Sequence, residues 1–228
     1  MSFDLACKNC GANSGPSVGV CPFCKTVMAP PSANAGAIGG LENLYTDGRL
    51  DLALSTGLSL LKTKPEAKTD LSFVLVLLKI MIEAEAPTTS IRSLIAEALL
   101  HHPGASELND TLELLDARSG LKKGKNDVGE LMLRNLIRRS PNNVHAHFFL
   151  GTHFFWTDED PMSAVAHLET CVRLHPKFLR AWGCLGAIYK KLGHVPLAKR
   201  AFETCVALES NPKMKELFLQ QIRELTPV

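Results

Sequence analysis

The chain has 228 residues, 46% hydrophobic and 21% charged, with a formal net charge of +2 and a pI near 8.2. That is ordinary globular composition with a sizeable core available, and the length suits one main body with a small appendage. The charge is too near balance to imply a nucleic-acid or membrane partner.

The N-terminal stretch MSFDLACKNC lacks a basic start followed by an apolar run, so no secretory signal is read and a cytoplasmic location is expected. In a reducing compartment, paired cysteines point to metal ligands or catalytic thiols before disulfides. Four of the seven cysteines stand close together as CKNCGANSGPSVGVCPFC: Cys7 and Cys10 form one C-x-x-C, and Cys21 and Cys24 a second, ten residues on. Two such knuckles can each present two thiolates to one tetrahedral ion. Gly11, after the first pair, suits the turn beyond a knuckle; Lys25 departs from that pattern after the second. The residues resemble short bacterial zinc ribbons, C-x-x-C-G followed by C-P-x-C, over roughly residues 3–28. One structural Zn²⁺ on Cys7, Cys10, Cys21 and Cys24 is expected, since four thiolates leave no open position for catalysis. C-P-F-C also resembles a thioredoxin-like site. That reading needs a helix after Cys24, where KTVMAPPSANAGAIGG is a weak helix former.

Domain boundaries are expected at 1–28 for the ribbon, 29–40 for a flexible linker rich in Pro, Gly, Ala and Ser, and 41–228 for a helical body. The longest apolar run, Leu71 to Ile82, includes Lys79 and falls short of the ~20 residues that cross a bilayer. A buried helix and no membrane insertion are expected. Prolines 65, 103, 141, 176 and 212 each end an apolar-periodic stretch, with spacings of 38, 38, 35 and 36. Such periods mark helix-turn-helix repeats, so the body reads as an all-α solenoid of about five helix pairs. The fifth unit carries Trp182, Leu185-Gly186, Tyr189, Gly193, Ala198, Phe202, Leu208 and Pro212; the fourth offers His147 in place of the Trp, then Leu150-Gly151, Phe154, Ala164 and Leu168. These residues resemble the tetratricopeptide repeat (TPR). The second and third units are degenerate. Residues 213–225 read as a polar-faced capping helix. Cys171 and Cys205 share one repeat position and read as core fillers.

No Gly-x-Ser-x-Gly, His-Glu-x-x-His or complete phosphate loop is found, so an enzyme is not expected. The tetratricopeptide resemblance implies a concave groove, lined by the first helix of each unit, that binds a protein or peptide partner. Mapped onto this chain, the groove positions are His145, Phe148, Thr152, Phe155, Trp156, Arg180 and Lys190, with Phe73, Val76 and Ile80 in the second unit. The carboxylate clamp of some co-chaperone arrays would need Lys and Asn where Phe148, Thr152, Gly183 and Ala187 stand, so that role is not expected. Two alternatives stay open. The aromatics could simply pack between units. The ribbon together with Arg118, Lys122, Lys123, Lys125, Arg134, Arg138 and Arg139 could bind RNA or DNA, although acidic residues interleave that cluster.

Overall fold

A computed structural model of the chain describes residues 5–6, 13–14, 35–123, 126–157 and 160–225. Cys7, Cys10, Cys21, Cys24 and Lys125 lie outside them. Strand β1 (Leu5–Ala6) pairs antiparallel with β2 (Asn13–Ser14), Leu5 opposite Ser14 and Ala6 opposite Asn13.

The other regular elements among the described residues are helices. Five pairs follow in order: α1 (Ala35–Thr46) with α2 (Leu50–Thr63), α3 (Leu71–Glu83) with α4 (Thr88–His101), α5 (Ser106–Lys122) with α6 (Asn126–Arg139), α7 (Val144–Thr157) with α8 (Pro161–Leu174), and α9 (Leu179–Lys191) with α10 (Val195–Leu208). We number these pairs as units 1 to 5. The last helix of each of the first four pairs stops two residues before a proline of the repeat, because proline disfavours helical backbone in the residue ahead of it. After α10 the gap is four residues, and Pro212 instead opens α11 (Pro212–Leu225), where its missing N–H costs nothing. No helix among the described residues is long and apolar enough to cross a membrane.

The stretch expected to be linker is helical from Ala35 onward. Gly36, Gly39 and Gly40 are poor helix formers, but Ile38 and Leu41 on the same helix are buried, and that burial outweighs propensity. The apolar run of unit 2 behaves as expected: Asp70 caps α3 by accepting from the N–H groups of Ser72 and Phe73, and nine of its residues are buried. Phe73, Val76 and Ile80, mapped to a groove by sequence, are core residues.

Unit 5 shows why the repeat pattern holds. A methyl group on Gly186 would come within 2.6 Å of the Phe202 ring, so only glycine lets α9 lie this close to α10. Trp182 Nε1 donates to the Pro176 carbonyl at 2.8 Å, tying the helix to the preceding turn. In unit 4, His147 does the same: its Nε2 meets the Pro141 carbonyl at 3.0 Å, again six residues back. With Nε2 as donor, its Nδ1 lone pair accepts from His167 Nδ1, 3.0 Å away. Cys171 and Cys205 are fully buried. Burial raises both thiols, Cys205 to about 12, which leaves them unreactive.

First helices pack on one another, α1 on α3, α5 on α7 and α7 on α9, and so form the inner layer of the coil. The coil winds tightly enough for its start to meet its later turns. Lys177 donates to the Asp47 carbonyl at 3.2 Å, and Tyr45 packs against His175 with tilted rings whose centres are 4.7 Å apart. Between them Glu83, only 6% exposed, accepts from the Tyr45 hydroxyl at 2.9 Å. His175 Nε2 lies 3.3 Å from the same carboxylate without hydrogen-bond alignment.

Candidate functional site: the concave groove

The inner layer leaves a cavity of about 410 Å³ between the end of α3 and the helices α5, α7 and α9. Its floor is Phe148 and Phe149 of α7, both buried. Adjacent residues of one helix face it together because unit 4 is apolar almost all round: nine of the fourteen residues of α7 are buried. One turn on, Thr152 lines the wall with its hydroxyl returned to the Phe148 carbonyl at 2.9 Å. At the rim stands Trp156, 77% exposed, its ring tilted against that of Phe155 with centres 4.9 Å apart.

Two cations lie on this floor. The Arg118 guanidinium sits 5.0 Å above the Phe149 ring, and that of Arg180 sits 4.9 Å above Phe148. Arg118 donates to Oε1 of Glu85 at 2.8 Å, and the Arg180 guanidinium is ion-paired with the same oxygen at 2.9 Å. The aromatic faces and the shared carboxylate hold the two guanidiniums in fixed positions at the wall. Cys184 completes that side; burial pushes its thiol up to about 11, so it serves as an apolar surface.

Of the residues assigned to the groove by sequence, the structure brings together Phe148, Thr152, Trp156 and Arg180. It does not bring in the other three. His145 is 5% exposed and lines a different cavity, of about 530 Å³, with Tyr45, Lys79, Asn143 and His175. Burial, assisted by the nearby His175, Lys79, Arg180 and Arg118, lowers its pKa to about 3, so it is neutral. Phe155 is half-buried behind Trp156. Lys190 is drawn the other way, onto Glu224 at 2.6 Å and Gln221 at 3.0 Å of α11. The pattern missed Phe149, Arg118 and Glu85. The sequence groups Arg118 with a basic face, but in the structure Arg118, Arg134 and Arg139 of that group are all ion-paired, to Glu85, to Glu130, and to Asp110 and Glu113. Among the described residues, no group of three or more His, Cys, Asp or Glu side chains is placed to hold a metal.

No protein-family model and no curated protein matches the chain. Among solved structures it is similar to MamA, with 17% identity over 78% of this chain and 96% of that one and a TM-score of 0.41. It is also similar to YrrB, described as a TPR protein with an unusual peptide-binding site, at 13% identity over 80% and 90% of the two chains and a TM-score of 0.42. PilW, described as a widely conserved type IV pilus biogenesis factor, gives 15% identity over 85% and 86% and a TM-score of 0.45.

Proposed function

We propose that this protein is an interaction scaffold that docks an extended segment of a partner protein in the concave groove of units 2 to 5. The observation that carries the reading is Trp156, a large indole left in solvent at the mouth of an aromatic-floored cavity flanked by two oriented arginines. Tryptophan and arginine dominate interface energetics when a partner desolvates them, and a cavity of this size takes one or two side chains. Among the described residues nothing covers the indole, as packing between units would.

The cysteine pairs extend the proposal. Four thiolates from Cys7, Cys10, Cys21 and Cys24 suit one structural zinc ion, and the surface around Phe23 would then offer a second recognition element. Protein purified anaerobically and without chelator is expected to carry about one zinc per chain; a metal-free protein contradicts this part alone.

The groove is tested by selecting random peptides from a phage-displayed library on the full chain and measuring the winners against Trp156→Ala and Arg180→Ala. Loss of at least ~10-fold in affinity in each variant is expected. Peptides that bind both variants as they bind the parent chain overturn the proposal.

A further inference from the structure

The three helix pairs whose turns are fully described, units 1, 2 and 5, close through one backbone motif. Gly48 N–H reaches the Tyr45 carbonyl and Arg49 N–H that of Leu44; Glu85 reaches Ile82 and Ala86 reaches Met81; Gly193 reaches Lys190 and His194 reaches Tyr189. The central residue is left-handed in each case, with φ of 76°, 54° and 74°. Glycine is the natural occupant there, since a Cβ crowds the following carbonyl. Units 1 and 5 have glycine. Unit 2 has Glu85, the one non-glycine residue with positive φ among those described.

A strained residue persists where its side chain is held by something the turn itself does not need. Here one carboxylate oxygen sits between Arg118 and Arg180, whose guanidiniums lie over Phe149 and Phe148. The hold is exchangeable. The Glu85 side chain is 51% exposed and can leave into water, whereas Arg118, only 15% exposed, still needs an anion when it does. With Glu85 swung aside, the charged side chains lining the cavity are Arg118, Lys122 and Arg180, all cationic.

We propose that Arg118 and Arg180 form a carboxylate-recognition site, that Glu85 is its internal occupant, and that an Asp or Glu side chain of the docked segment displaces it. This rests on the groove reading above. The partner segment is then acidic, with an aromatic or branched apolar residue beside the acid to meet Phe148, Phe149 and Trp156. Glu85 sets a threshold: only a segment that supplies both features competes for the arginines.

The test uses three N-acetylated tetrapeptides on the full chain: Leu-Phe-Glu-Phe amide, Leu-Phe-Gln-Phe amide and Leu-Phe-Gln-Phe free acid. NMR follows the Trp156 indole N–H and the Nε–H signals of Arg118 and Arg180. The glutamate amide is expected to shift all three signals and to bind at least ~10-fold tighter than the glutamine amide. Glu85→Gly, which suits the turn, should tighten the glutamate probe further and leave the glutamine amide unchanged. Arg118→Gln should abolish the discrimination between them. A glutamine amide that moves Trp156 as strongly as the glutamate probe overturns the carboxylate site and leaves the groove standing. A free acid that matches the glutamate probe overturns the choice of a side-chain carboxylate. If Glu85→Gly weakens the glutamate probe, Glu85 staples the coil and is no occupant. If no probe moves Trp156 in either protein, this inference and the groove reading fall together.

Discussion

Unit 5 and unit 2 close their helix pairs with the same hydrogen bonds, yet one places Gly193 at the turn and the other Glu85. In unit 5 three departures from ordinary helix composition have a structural reason: Gly186 admits the Phe202 ring, Trp182 ties the helix to the Pro176 carbonyl, and Gly193 takes the left-handed bend. In unit 2 the turn is worse than it needs to be, and the excess goes into a carboxylate placed across the groove. Repeat residues that obey the pattern maintain the coil; on the proposal above, residues that break it at a cost are where the coil would face a partner.

The largest expected effect lies on the packing side of this contrast. Phe202→Ala should cost ~3–5 kcal/mol of stability, read from urea or thermal unfolding, because it empties the space for which Gly186 was kept small. Peptide binding per folded molecule should be unchanged. If the variant keeps its stability, the close approach of α9 and α10 is not what unit 5 is built around.

Acid should weaken the middle of the coil. His145 stays neutral in the folded state down to about pH 3, whereas in the unfolded chain it takes a proton near its ordinary value of 6.5. Between those values the unfolded state binds more protons, so this contribution is whole above about pH 6.5 and is lost as pH falls toward 3. Burial lowers His167 to about 4 and depresses His147 as well, so both act in the same direction. His145→Leu should therefore reduce the slope of unfolding midpoint against pH between 7 and 4.5 without abolishing it. An unchanged slope contradicts the buried, neutral assignment.

Exchanging the two turns sharpens the comparison directly. Gly193→Glu forces a side chain into the left-handed region and should cost ~1–2 kcal/mol. Glu85→Gly relieves that strain, loses two surface ion pairs and gains chain entropy in the unfolded state, so its stability should change by less than about 1 kcal/mol. Equal and opposite changes would mean that the two glutamates meet equivalent surroundings and that the arginines contribute nothing.

How much of this was legible in the sequence follows the same division. The prolines located the five pairs because proline acts on the residue before it and needs no tertiary context. His147 was identified as the counterpart of Trp182, and both rings do reach a proline carbonyl six residues back. The start of α1 was not legible, since Gly36, Gly39 and Gly40 argue for linker and only the burial of Ile38 and Leu41 turns the stretch into helix. Nor was the full groove. Phe148, Thr152, Trp156 and Arg180 were reached through the well-patterned units. Arg118 and Glu85 sit in degenerate ones, where no register relates them to the Phe pair. His145 and Lys190 were misplaced for a related reason: the winding of the coil and the reach of α11 are fixed by contacts far apart in sequence, such as Lys177 with Asp47 and Lys190 with Glu224.

The chain has two tryptophans, so Trp182→Phe leaves the groove indole as the only tryptophan reporter. Trp156 is 77% exposed, and its fluorescence in this variant should begin at the long wavelength of a solvated indole. On saturation with a groove-selected peptide it should move to shorter wavelength as the ring is desolvated. Trp156→Ala, made in the parent chain, should keep the parent's stability within about 0.5 kcal/mol while losing the peptide. Emission that stays at the solvated wavelength while calorimetry shows the peptide bound would contradict the central claim, because the partner would then occupy a surface other than this groove.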